Sequence, residues 1–249
     1  MSGHNKWSSI KHDKGIADAR RGQLFTKLTR EIMVAVRQGG SDPDANSRLR
    51  LALQKAKAAS MPRENIERAI KKGEGTLEGG NLTEAVLEGY GPGGTAILIE
   101  VLSDNHNRTV QDVRRVLTRS GGNLGSTGSA SWIFDTKGLI LVDADELDFD
   151  EVALQAIDAG ADDVEIGKNH IEVYTPPELL EEVRDRLIKA GIPVSESSVT
   201  RIPKTTVQLD DETAVQMAKL LERLEELDDV QEVYSNAEFS DEALAKISS

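Results

Sequence analysis

Apolar residues recur at steps of three and four over the first quarter of the chain. Phe25, Leu28, Ile32 and Val36 carry this period through a segment from Asp13 to Gln38. The spacing predicts a helix there, with Gly22 interrupting its first turns and Gly39-Gly40 closing it. Leu49, Ala52, Leu53 and Ala56 predict a second helix over residues 47–59. Pro62 suits the first position of a third, residues 63–72, with Ile66, Ala69 and Ile70 inward and Gly73 as its stop. Helices this short are marginal alone and must pack on one another, so the segment reads as a three-helix bundle preceded by an extended, polar stretch over residues 1–12.

After the linker GEGTLEGGN the period changes. Residues 85–90 and 95–102 read as strands joined by GPGG, followed by a helix over 108–120 and a Gly/Ser-rich stretch over 121–131. A strand pair, 131–135 and 138–143, comes next. It is followed by a helix over 149–159, strands over 163–166 and 170–174, a helix over 178–190 and a strand over 194–202. The remaining pattern predicts strand 205–209, helix 212–227 and strand 230–235. Residues 138–202 alone give β-α-β-β-α-β, the ferredoxin-like order. The expected fold class is therefore α+β and multidomain, an N-terminal three-helix bundle followed by two ferredoxin-like α/β domains, one inserted in the other. The expected bounds are 1–78 for a basic helical nucleic-acid-binding domain, 79–131 plus 204–249 for one α/β domain, and 132–203 for the inserted one.

Charge sharpens this division. Residues 1–75 carry sixteen Lys/Arg against eight Asp/Glu, while residues 76–249 carry fourteen against thirty-five. A basic bundle on an acidic body points to a polyanion partner. At 100° per residue, Arg20, Lys27, Arg30 and Arg37 fall on the side of the first helix opposite Phe25, Leu28, Ile32 and Val36. The basic face is thus expected to point outward. Arg21 adjoins Arg20; Arg48, Arg50, Lys55 and Lys57 flank the apolar stripe of the second helix, and Arg63, Arg68, Lys71 and Lys72 add to the third. In the N-terminal arm, His4, Asn5, Lys6, Lys11, His12 and Lys14 surround Trp7. Stacking of that indole on a base and its burial on the bundle are worth similar energies, about 1–3 kcal/mol each, so both stay open.

Other chemistry has less support. The chain has no cysteine, which excludes disulfides, thiolate zinc sites and a cysteine nucleophile. His4 and His12, even with Asp13, lack a third firm metal ligand. Gly89–Gly94 fits a dinucleotide fingerprint formally, but a strand rather than a helix follows it. The glycine-rich stretch 121–128 lacks the Lys-Ser/Thr of a phosphate-binding loop, and the acidic run 143–150 lacks the glycine and glutamate of a calcium loop. His106 lies in DNHNRT before a helix, where Asn and Asp serve as caps. No apolar run is long enough to span a bilayer, and the polar start is no secretory signal. The expected location is cytoplasmic.

The segments GHNKWSSIKHDKGIADARRGQLFTKLTREI, MPRENIERAIKKGEG, EGYGPGGTAILIEVLSDNHNRTVQDVRRVL and GGNLGSTGSASWIF closely resemble the YebC family. It is also known as the PmpR or translational-activator-of-cytochrome-oxidase family. The resemblance runs in order over essentially the whole chain. It implies three domains and a bacterial cytoplasmic DNA-binding transcriptional regulator. Some relatives look instead like ribosome-associated translation factors that aid synthesis through proline-rich stretches, with the Gly3–Trp7 arm approaching ribosomal RNA. The expected protein is a monomeric, non-enzymatic regulator without cofactor or metal, binding promoter DNA or ribosomal RNA and no membrane. No clear helix-turn-helix is visible in the sequence. Its phosphate contacts would come from Lys6, Lys11, Lys14, Arg20, Lys27 and Arg30, with Trp7, His4 and Asn5 at the bases.

Overall fold

A computed structural model describes residues 18–77, 80–143, 148–166 and 170–248. The arm residues His4, Asn5, Lys6, Trp7, Lys11, His12 and Lys14, and the side chain of Arg20, lie outside what it describes. Two compact units divide the chain, one of residues 134–204 and the other of the remainder.

The larger unit starts with α1 (Asp18–Gly39), α2 (Ser47–Ala58) and α3 (Arg63–Gly73). Leu28, Ile32, Val36, Leu49, Ala52, Ala56 and Ala69 form a common core, as the three- and four-residue steps predict. Asn46 builds the α1–α2 corner. Its Oδ1 accepts from Leu49 N at 3.0 Å as the α2 N-cap. Its Nδ2 donates to Ala35 O and Gly40 O, both at 2.8 Å, satisfying carbonyls at the end of α1. At Gly73 a Cβ would lie 2.7 Å from Val36 Cβ and 2.9 Å from Met33 O, so only glycine permits α3 to approach α1 this closely.

The bundle leads into β1 (Thr83–Tyr90) and β2 (Ala96–Ser103), antiparallel from Thr83↔Ser103 to Tyr90↔Ala96. The GPGG turn between them is a short 3-10 segment with Gly93 at φ +72°. Then come α4 (His106–Arg119) and β3 (Asn123–Leu124). After the other unit the chain returns with β8 (Val207–Gln208), α7 (Asp211–Glu225), β9 (Val230–Ser235), β10 (Ala237–Glu238) and α8 (Asp241–Ser248). The main sheet runs β3-β1-β2-β9, antiparallel throughout, and β8 and β10 pair in parallel. Ile97, Ile99 and Val101 pack with Val113 and Leu117 of α4 and with Met217, Leu220, Leu221 and Leu224 of α7. This places both helices on one face of the sheet.

The unit of residues 134–204 holds β4 (Phe134–Asp143), α5 (Phe149–Asp158), β5 (Asp163–Ile166), β6 (His170–Thr175), α6 (Leu180–Lys189) and β7 (Val194–Pro203). The sheet order β5-β6-β4-β7, antiparallel at each step, is the ferredoxin-like arrangement expected for β-α-β-β-α-β. One local expectation is corrected. Residues 131–133 form a 3-10 turn and β4 is one strand, not two, because Thr136-Lys137 continues the ladder against Arg201 and Thr200.

Candidate nucleic-acid interface

The outward basic face expected on α1 is corrected at two of its positions: Arg37 is exposed, but Lys27 and Arg30 are part-buried. Ile32, Met33, Val34, Ala35 and Val36 are all buried, so α1 is enclosed on more than its one apolar stripe. Lys27 and Arg30 turn toward the α/β part of the same unit. Lys27 Nζ donates to Glu225 O at 2.6 Å, and Gln23 Nε2 to Glu226 O at 3.1 Å. These side chains meet the carbonyl end of α7, where helix polarity favours a cation.

Arg30 ends at a buried carboxylate. Its Nη1 lies 2.6 Å from Asp229 Oδ1 and also donates to Asp228 O and Leu102 O. Asp229 Oδ2 accepts from Thr109 Oγ1 at 2.5 Å, Arg108 Nη2 at 2.9 Å and Ser103 Oγ at 3.2 Å. Burial opposes ionisation here, but the bonds from Thr109 and Arg108 and the charge of Arg30 outweigh it and hold the Asp229 carboxyl below its ordinary range. The stretch SDNHNRT therefore has a structural assignment. Asn105 caps α4 by accepting from Arg108 N at 3.1 Å, while Ser103, Arg108 and Thr109 converge on Asp229.

A second clamp joins α2 to β1. Arg48 Nε donates to Glu31 Oε1 at 2.8 Å, and its Nη atoms reach Glu84 at 2.5 and 3.0 Å. Partial burial opposes this guanidinium's charge, but its bonds to Glu84 and Glu31 prevail and raise its pKa further above the physiological range. The hydrogen bond from Arg48 in turn lowers the pKa of Glu84.

The glycine-rich loop is also internally satisfied. Glu88, buried on β1, accepts from Gly128 N, Ala130 N and Ser131 N at 2.7, 2.6 and 2.8 Å. Burial alone would raise its pKa; these amides more than offset that and lower it. Three N–H groups that could cradle a phosphate already hold a carboxylate of this chain.

Basic side chains with no partner among the described residues include Arg114, Arg119, Lys189 and Lys219 outside the bundle and a group of five within it. The side chains of Lys55 and Lys57 at the end of α2, and of Arg68, Lys71 and Lys72 on α3, make no hydrogen bond or ion pair there. Lys57, Arg68 and Lys71 are exposed, Lys55 and Lys72 half-buried. Arg63 pairs with Glu67 at 2.8 Å across one turn, with its own side chain 91% exposed, a contact too weak to withhold it from another anion. Arg21 and Arg37 are exposed but have interactions of their own. Sequence periodicity does not distinguish committed from uncommitted cations, because the partners of Lys27 and Arg30 lie about two hundred residues away.

Two clefts accompany these elements. One of about 550 Å³ is lined by Val116, Arg119, Arg223, Glu226 and Leu227 at the ends of α4 and α7. A smaller one of about 200 Å³ lies between α1 and α3. Among the described residues no three His, Asp or Glu side chains are grouped to hold a metal, and no helix is long and apolar enough to cross a membrane.

Known proteins share this plan. The "TACO1/YebC protein N-terminal domain" matches residues 5–76, and the "TACO1/YebC second and third domain" matches residues 82–237. A "Probable transcriptional regulatory protein" of Dehalococcoides mccartyi is 57% identical over 99% of this chain and 98% of its own length. One of the same description from Geobacter sulfurreducens is 53% identical over 99% and 100%. The crystal structure of a conserved hypothetical protein from Aquifex aeolicus superposes with a TM-score of 0.84 at 51% identity, over 90% of this chain and 93% of that one. With both domain models matched in order over most of its length, the chain belongs to the TACO1/YebC family.

Proposed function

We propose that the protein is a non-enzymatic, nucleic-acid-binding regulator of gene expression that meets its polyanion with the helical bundle. The observation that carries this is the group of unpartnered cations at Lys55, Lys57, Arg68, Lys71 and Lys72, in a chain whose net charge is −13. Arg21 and Arg63, and the arm with His4, Asn5, Lys6, Trp7, Lys11, His12 and Lys14, extend this set on the sequence argument. Lys27 and Arg30 serve instead to fix the bundle to the α/β part. The acidic body disfavours any orientation that brings it toward the phosphates.

Duplex DNA is the first reading; the relatives carry the description "Probable transcriptional regulatory protein". It gains support from the connection between α2 and α3. Only residues 59–62 separate these helices, within the turn length of helix-turn-helix units, and α3 carries exposed Arg63, Arg68 and Lys71. The second reading is a ribosome-associated translation factor binding ribosomal RNA and aiding synthesis of proline-rich stretches. It is supported by a cation set suited to phosphate contacts rather than base edges, the mode in which helical RNA is recognised. In-cell crosslinking, with sequencing of the captured DNA and RNA, separates the two. Enrichment at promoters alone refutes the ribosomal reading, ribosomal RNA alone refutes the promoter reading, and neither refutes both.

A further inference from the structure

We propose that the notch between α1 and α3 is a seat for one phosphodiester group. This rests on the nucleic-acid reading above and gives it a specific contact. The notch is lined by Thr29, Asn65, Arg68, Ala69 and Lys72. On α3 the last four follow at steps of three, one and three, and so share one stripe of the helix. Ala69 is fully buried and contributes only a methyl group to the floor. One turn on, Gly73 lets the two backbones approach closely. The short side chains leave a recess, and the longer Asn65, Arg68 and Lys72 overhang it.

The groups around the recess are mostly donors. Arg68 and Lys72 carry positive charge, the Asn65 amide offers N–H groups, and none of the three has a partner among the described residues. Thr29 Oγ1 already donates to Phe25 O at 2.7 Å. No carboxylate lines the notch. An acceptor-only anion is the complement of such a set. About 200 Å³ is below the roughly 300–1,000 Å³ usual for small-molecule pockets, which favours a single group over a whole metabolite. Free phosphate and a nucleic-acid backbone share this chemistry.

The test uses the full chain labelled with ¹⁵N, following the Asn65 side-chain amide and the Arg68 Nε–H. It is titrated separately with a short DNA duplex, a short RNA hairpin, and inorganic phosphate at matched ionic strength. Nucleic acid is expected to move both signals. Asn65→Asp and Arg68→Gln are each expected to weaken binding about tenfold, the loss typical of one hydrogen bond to a charged group. Lys189→Gln, an exposed cation in the unit of residues 134–204 and outside the proposed contacts, should change affinity less than about twofold. If the wild type binds but Arg68→Gln and Asn65→Asp cost no more than Lys189→Gln, the seat is refuted while nucleic-acid binding stands. Movement with inorganic phosphate but not with either nucleic acid overturns the phosphodiester assignment. Failure of the wild type to bind either nucleic acid refutes the functional reading and the seat with it.

Discussion

Replacing Asp229 with Asn tests how the bundle is held to the α/β part. The substitution preserves shape and removes one charge. It leaves Arg30, whose side chain is 19% exposed, opposite a neutral amide in place of a carboxylate that is 10% exposed. It also presents an N–H₂ group to hydroxyls and a guanidinium that now donate to Asp229. Breaking a buried ion pair by altering one partner costs about 3–5 kcal/mol. Arg30 keeps its bonds to Leu102 O and Asp228 O, so the lower end, about 3 kcal/mol, is expected. Hydrogen exchange read by mass spectrometry suits a chain of two units, because it reports opening segment by segment. Peptides from α1 and from the start of α4 should exchange about a hundredfold faster than in the wild type. Peptides from residues 134–204 should be unchanged. The pH dependence has a definite sign. Asp229 has a lowered pKa in the folded state, so its contribution is present above the unfolded value of about 3.9 and is lost as pH falls through the folded value. The difference between variant and wild type should therefore shrink below about pH 4. Equal exchange in α1 at pH 7 would refute the role of Asp229 as the anchor.

Three further substitutions have defined outcomes. Asn46→Asp keeps the acceptor for Leu49 N but sets a carboxylate against Ala35 O and Gly40 O, so urea denaturation should show it less stable than Asn46→Ser, against the usual near-equality of these caps. Gly73→Ala drives a methyl group into Val36 and Met33 O and should cost about 1–3 kcal/mol, read as faster exchange in α1 and α3. Glu88→Gln removes charge from the acceptor of three loop amides and should speed exchange over residues 125–131. Because Glu88 has a lowered pKa, the wild type should lose the same protection as pH falls below about 4.3.

Much of this architecture was readable from local pattern. The bundle core, the β1–β2 hairpin and the β-α-β-β-α-β order of residues 134–204 follow from periods of 3.6 and 2. Asn105 was readable as a cap from DNHNRT. What escaped depends on contacts distant in sequence. The stripe Leu28-Ile32-Val36 implies a one-sided helix, and Met33-Val34 was the available sign that α1 is enclosed on a second side. Nothing local to Arg30 identifies Asp229 as its partner, so charge that looked outward proves to be committed within the unit. The terminal helix α8 lies beyond the predicted elements, although Ser240, whose Oγ accepts from Ala243 N at 3.0 Å, is a readable start signal. The Gly/Ser-rich stretch gave no hint that Glu88 occupies its amides, because that residue stands about forty positions earlier.

The central claim is that unpartnered cations of the bundle, above all those of α3, neutralise nucleic-acid phosphates. The most direct measurement is the salt dependence of duplex DNA binding for the wild type and for the Arg68→Gln/Lys71→Gln/Lys72→Gln variant. Each lost phosphate contact lowers the slope of log K against log salt concentration by about 0.9. The account predicts weaker binding and a slope smaller by about 2–3; an unchanged slope and affinity would contradict it.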